Sequence, residues 1–382
     1  MAMLTTRLIG LGSVTSRNAS YFEQDIANAA AYGYGVTAVV GFADASTGAT
    51  SRTTTISYTF LDQFLDLLTE YGVACQWNMG EGPPTHSSWK ALNGGNAWPS
   101  TNRPPSGLHA TLKTHWEAIL ARVMLKRSAA NQDSTEYDCF RIWGEGGKGG
   151  VLDGRDAGVS PATYSSPWSG YSAGTWDDEL HTLLVTLSSI DWQDHIVVGP
   201  ALECEDATSS TLGPTVTQEI ATYGASAGDD WRQVCADSNG GVPIFSIDIY
   251  PTASTSTLAA AVAEFEGKLD RVINSMKSQN WCPSNALFNV GEHGWQVLTS
   301  GGTTNKGEMA KWRIECETIA MADPRVWGFS HYTMRDDTWG LFLADGSATP
   351  AKFFFDPTTA QSAYLRYGIN RSVPVRRRFA AR

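Results

Sequence analysis

The feature that most constrains this chain is an alternation repeated along its length. Short apolar or β-branched runs trade places with longer segments of helical spacing. The runs fall at residues 7–12, 36–42, 73–78, 137–143, 195–200, 243–250, 286–291 and 326–332. Helical periodicity follows each of them, near 21–32, 57–71, 108–126, 177–189, 215–223, 258–278, 306–321 and 358–367. In the second of these, Phe60, Phe64, Leu67 and Leu68 recur at the three- and four-residue steps that put one apolar stripe on a helix. A continuous apolar run is how a strand buried on both faces reads, and parallel strands covered by helices are buried in this way.

Eight strand–helix units in unbroken order are what a (β/α)8 barrel, the TIM barrel, requires. An open doubly wound sheet alternates likewise but with fewer strands. No linker is long enough to divide the chain, so residues 1–382 read as one α/β domain with a short tail at about 368–382. Apolar residues make up 42% of the chain and charged ones 18%, enough to bury a large core. Two stretches rich in Gly, Pro and Ser, 79–107 and 144–174, each follow a strand. In a barrel they are long βα loops on the catalytic face, where loops of such length usually carry function.

The net charge of −11 argues against a nucleic acid or an anionic membrane surface as partner. Only the tail is basic, through Arg376, Arg377, Arg378 and Arg382. It is either a solvated end or a dock for an acidic protein neighbour. The first twelve residues hold one Arg and a very short apolar run, unlike a secretory signal. No segment approaches the roughly 18 apolar residues of a membrane span. The six cysteines are scattered singly without metal-type spacing, and Cys75, Cys139 and Cys316 read as buried thiols.

In a barrel, acids at the C-terminal ends of strands are the candidates for chemistry. Glu145 follows the fourth run, Asp248 lies in the sixth and Glu292 follows the seventh. Glu81 follows the third, Glu203, Glu205 and Asp206 the fifth, and Asp336 and Asp337 the eighth. Cleaving a sugar–sugar bond takes one carboxylic acid to protonate the leaving oxygen and one carboxylate to attack the anomeric carbon. Strands four and seven stand on opposite sides of an eight-stranded barrel. Glu145 and Glu292, pointing inward from them, can flank a bond lying across the mouth. As a retaining pair their carboxyl groups are expected about 5–5.5 Å apart. The plainer roles are a helix-capping carboxylate for Glu292 and a loop residue in a glycine-rich turn for Glu145.

Motifs after residue 240 carry a more specific likeness. The segment FNVGEHGW at 288–295 ends an apolar strand in Glu, followed by Gly and an aromatic. SIDIYP at 246–251 places a Tyr and a Pro at the end of the sixth run. WGFSHY at 327–332 is followed by WGLF at 339–342 and by Asp345 and Gly346. In these the chain resembles glycoside hydrolase clan A, the retaining four-over-seven barrels, as a divergent member. The resemblance implies a retaining glycosidase with Glu292 as nucleophile, Glu145 as acid/base and Tyr250 hydrogen-bonded to the nucleophile. The chain departs from the family at two places. Gly144 stands where the family has the Asn that touches the sugar 2-hydroxyl, and Asp248 stands where it has a His two before the Tyr.

Fourteen tryptophans strengthen the sugar reading, because flat aromatic rings stack on the C–H faces of sugars. Trp77, Trp89, Trp98, Trp143, Trp168, Trp295 and Trp339 fall at strand ends or in long loops, whereas Trp116, Trp312 and Trp327 fall on core periodicity. The expected substrate-binding set is Tyr250, Asp248, Trp143, His293, Trp295, His331, Tyr332, Trp77 and Trp339. The glycine-dense stretch 144–150 lacks the Ser or Thr of a phosphate loop, and neither a cofactor nor a metal is implied. A non-catalytic carbohydrate-binding barrel, such as part of a phage tail, is the alternative from another class. An inverting or lyase-type sugar enzyme acting through Asp248 is a third reading. A glycan substrate lies outside a cell, which suits a secreted or virion-associated protein.

Overall fold

The computed structural model describes residues 3–13, 19–40, 59–79, 109–142, 186, 187, 189–204, 207, 210–212, 216, 217, 220, 230–251, 257–295, 306–334 and 340–342. Eight parallel strands close into a barrel in chain order. They are β1 (Arg7–Ser13), β2 (Gly35–Val40), β3 (Cys75–Met79), β4 (Asp138–Ile142), β5 (Ile196–Glu203), β6 (Ile244–Ile249), β7 (Leu287–His293) and β8 (Val326–His331). β1 pairs with β8 through Arg7–Phe329, Leu8–Ser330 and Ile9–His331, which completes the ring. The strands fall where the apolar runs predict them.

Among the described residues the helices are α1 (Ala19–Tyr32), α2 (Thr59–Tyr71), α3 (His109–Ala129), α4 (Ser134–Tyr137), α5 (Asp230–Ser238), α6 (Leu258–Lys277) and α7 (Lys306–Ala322). α6 shows how one forms. Thr257 caps it, its hydroxyl accepting from the Ala260 amide at 3.2 Å. Ala261, Phe265, Leu269, Val272 and Met276 then make the buried stripe. α5 was not expected between the fifth and sixth runs. The helical stretch predicted near 215–223 is seen only at residues 216, 217 and 220, and that near 177–189 only at 186 and 187. The closing helix expected near 358–367 and the tail lie outside the described residues.

The side chains inside and outside the barrel differ in character. Outside, the strands pack on the helices through Phe64, Trp116, Phe140, Phe265, Phe288, Trp312 and Phe329, all buried. Each such side chain contributes roughly 1.5–3 kcal/mol by leaving water. Inside, an apolar plug of Leu8, Ala74, Cys139, Ile196, Val198 and Ile244 fills the end where the strands begin. Polar groups follow further along the axis. Thr37 and Ser330 hydroxyls meet at 2.9 Å, and the Asn289 amide donates to Gln76 Oε1 at 3.2 Å across the barrel. The interior thus changes from apolar to polar toward the C-terminal ends of the strands, where barrel enzymes hold their sites. All six cysteines are free and buried, and burial pushes the Cys282 thiol up to about 11.

Candidate active site at the mouth of the barrel

Glu292 owes its direction to an irregularity in β7. Phe288 and Val290 face outward into the helix layer, so strict alternation would send residue 292 outward as well. The β6–β7 register instead passes from Ile247–Val290 to Asp248–Glu292, skipping Gly291. A bulge of this kind re-aims the side chains that follow it. Glu292 therefore turns into the mouth, and His293 takes the outward position.

Two residues, one from β4 and one from the end of β6, receive the carboxylate of Glu292. The Tyr250 hydroxyl, just past the end of β6, donates to its Oε2 at 2.9 Å. Arg141, inside β4, places Nη2 3.5 Å from its Oε1. Nη1 of the same guanidinium lies 3.3 Å from Asp248 Oδ1 and 3.4 Å from Ser246 Oγ. Arg141 is fully buried, Asp248 is 2% exposed and Glu292 is 8% exposed, so Glu292 is the carboxylate of this cluster nearest the opening. Lys268 of α6, also buried, donates to the Tyr250 carbonyl at 2.7 Å and pairs with Glu264 at 3.2 Å. A buried lysine so satisfied fixes the backbone that presents Tyr250.

The sequence-predicted residues divide into three groups. Glu292, Tyr250 and Asp248 come together at the mouth, although Asp248 faces Arg141 below the surface and not an open cleft. Glu145, Trp143 and Trp339 lie outside the described residues, as do Trp89, Trp98, Trp168 and the stretches 80–107 and 144–174. The other five expected residues, Trp77, His293, His331, Trp295 and Tyr332, have no contact with the Glu292 carboxylate among the described ones. Trp77 is fully buried on the outer side of β3, its ring 5.8 Å from Phe64 of α2 and its Nε1 donating to Asp138 at 2.9 Å. Asp138 is itself held by Arg127 of α3 at 2.8 Å, so Trp77 belongs to a packed helix–strand seam.

His293 and His331 are likewise fully buried in the outer layer. His293 packs among Phe265, Trp312 and Phe329, and its Nδ1 meets the Ser330 carbonyl at 3.0 Å. His331 Nε2 lies 2.7 Å from Glu317 Oε2 of α7, which also accepts from the Tyr34 hydroxyl at 2.6 Å. Arg7 pairs with the other oxygen of Glu317. Burial holds His331 down to about 4 and lowers His293 well below the usual imidazole range, so both rings are neutral at pH 7. Burial alone would raise Glu317, but Arg7, His331 and Tyr34 together outweigh it and bring the carboxyl to about 2. Trp295 is 3% exposed and lies 5.9 Å from Trp312, which makes it part of the wall between β7 and α7. Tyr332 is half-buried, and its carbonyl accepts from Arg313.

Arg141, Ser246 and Lys268 were missed by the sequence reading. The signal for Arg141 was present: a charge inside a five-residue strand whose every position is buried must have a partner. Among the described residues no group of His, Cys, Asp and Glu could hold a metal ion, and no helix is long and apolar enough to cross a membrane.

No family model and no curated protein matches the chain. Solved structures do. The family 1 β-glucosidase from Thermotoga maritima is similar at a TM-score of 0.58 and 10% identity, over 96% of this chain and 98% of that one. The GH39 enzyme from Xanthomonas axonopodis pv. citri gives 0.57 and 14%, over 94% of this chain and 66% of that one. A GH5-4 broad specificity endoglucanase from an uncultured bacterium gives 0.56 and 10%, over 94% and 93%. These are clan A barrels. The likeness shows the fold: a closed (β/α)8 barrel of the architecture those glycoside hydrolases share.

Proposed function

We propose that the protein is a glycoside hydrolase that cleaves O-glycosidic bonds of an oligo- or polysaccharide with retention of configuration. The observation that carries the reading is Glu292. A bulge turns it into the mouth at the end of β7, and it is oriented there by Tyr250 and Arg141. A nucleophile of this kind needs an ionised carboxylate held in a fixed direction, and Tyr250 and Arg141 hold Glu292 so at the strand end where barrel enzymes act.

In the reaction, a Glu292 oxygen attacks the anomeric carbon while the bond to the leaving oxygen breaks. Glu145, three residues past β4 in the sequence, gives its proton to that oxygen. Water then attacks the same carbon, Glu145 takes a proton from it, and Glu292 is released as carboxylate. The motif likeness to clan A and the similar barrels support this assignment, and no cofactor is required by it. The absence of an Asn before Glu145 favours a substrate whose 2-position is recognised by other residues.

The test is release of reducing ends from a panel of β- and α-linked glycans, with product configuration followed by NMR. Turnover with retained configuration, lost in Glu292→Gln, is the expected result. Binding without turnover would replace the reading with a carbohydrate-binding barrel, and inverted products would reassign the acids.

A further inference from the structure

We propose that Asp248 and Arg141 are positioning residues that act in series on Glu292, Asp248 fixing Arg141 and Arg141 fixing the carboxylate. The inference rests on the reading of Glu292 as nucleophile. It assigns Asp248 neither to substrate contact nor to acid chemistry.

Arg141 is a permanent cation buried completely within the barrel, a position that demands compensating partners. Its guanidinium bridges two carboxylates on neighbouring strands, Asp248 at 3.3 Å and Glu292 at 3.5 Å, and touches Ser246 at 3.4 Å. The fork is planar and rigid, so anchoring Nη1 sets where Nη2 points. Asp248 is the register partner of Glu292 on β6, but it is 2% exposed against 8% for Glu292 and turns its carboxylate to Arg141.

Gly291 makes the arrangement possible. A Cβ there would stand 2.2 Å from Arg141 Nη1, 2.3 Å from Ser246 Oγ and 2.8 Å from Asp248 Oδ1. The space a side chain would take is filled by the guanidinium. The glycine that the bulge skips thus leaves the slot for the cation that holds the re-aimed glutamate.

The experiment compares wild type, Asp248→Asn, Arg141→Lys and the double variant on 2,4-dinitrophenyl glycosides, and solves crystal structures of wild type and Asp248→Asn. Each single variant is expected to lose on the order of a hundredfold in kcat, as a small misplacement of a reacting group does, with KM nearly unchanged. The double variant should lose no more than Arg141→Lys alone, because the two act through one contact. In the Asp248→Asn crystal the guanidinium should swing away from Glu292. Additive losses, or a rise in KM in place of the fall in kcat, would overturn the series arrangement, as would an unmoved guanidinium. A wild type that hydrolyses no glycoside sinks the hydrolase reading, while the crystal comparison still decides whether Asp248 governs Arg141.

Discussion

The phenol of Tyr250 and the carboxylate of Glu292 meet across the β6–β7 seam at 2.9 Å, the hydroxyl donating to Oε2. The two residues end neighbouring strands, and the bulge at Gly291 brings them to the same side. Lys268, gripping the Tyr250 carbonyl from α6, couples this contact to the helix layer. The orientation of Glu292 therefore depends on residues drawn from β4, from β6 and its end, and from α6.

Tyr250→Phe removes one hydrogen bond to a charged group and leaves the ring in place. Such bonds are worth about 1.5–3 kcal/mol, so kcat should fall about tenfold to a hundredfold. KM and the urea unfolding midpoint should stay close to wild type, because Tyr250 is only half-buried. Steady-state kinetics on an activated aryl glycoside checks this. An unchanged kcat would mean that Tyr250 does not orient the reacting carboxylate.

Glu292→Gln and Glu145→Ala should fail in different ways. The first keeps the shape but removes the attacking charge, so turnover disappears for every substrate. The second removes a proton donor, a loss of about 10²–10⁴-fold on ordinary glycosides. It should spare the first step on a dinitrophenyl glycoside, whose leaving group needs no proton. Added azide should then give a glycosyl azide of retained configuration, read by NMR. Equal loss in both variants without azide rescue means that the roles or the residues are misassigned.

The strands were legible because a parallel strand buried on both faces reads as a nearly continuous apolar run. Direction at the strand ends was not, because period-two alternation holds only until a bulge interrupts it. Trp77 and His331 were read as site residues from their nearness to strand ends, yet each sits one step out of phase with the interior. His293 was expected beside Glu292, and the bulge separates them. α5 was invisible because its segment DWRQVCADS offers few apolar residues to mark a helical stripe. Arg141 is hidden for the opposite reason: DCFRI reads plainly as a strand, and nothing in the run itself marks what its one cation faces.

Gly291→Ala should destabilise the barrel and disturb the site together. The added methyl would overlap Arg141, Ser246 and Asp248, and none of these can retreat into solvent. Overpacking of this kind typically costs about 1–3 kcal/mol. Chemical denaturation should register that loss, and kcat should fall with it as the guanidinium is displaced. Gly33→Ala offers a contrast on the surface side of the fold. There nothing lies within 4 Å of a new Cβ, and strain arises only from the positive φ of +76°. It should lower stability without touching kcat relative to wild type. A Gly291→Ala protein as stable and active as wild type would show that the slot is not tight.

Acid should weaken the fold in two stages, both set in the β8–α7 layer. His331 titrates at about 4 in the folded chain against an ordinary 6.5, because burial opposes its charge and Arg313 and Arg7 add to that opposition against the pull of Glu317. A depressed folded value means that the unfolded chain binds the proton first. The stability His331 contributes is complete above pH 6.5 and drains away as pH falls toward 4. The gap corresponds to on the order of 3 kcal/mol. His293, lowered by burial, by His331 and by Arg313, acts in the same direction. Glu317, brought from 4.5 to about 2, adds a second loss below pH 4.5. Urea midpoints measured from pH 7.5 down to pH 4 should therefore decline steadily, beginning near 6.5. Replacing His331 by Gln, which keeps a donor for Glu317 but cannot charge, should flatten part of that decline. A midpoint independent of pH between 6.5 and 5, or the same slope in His331→Gln, would show that the buried imidazoles do not govern acid stability.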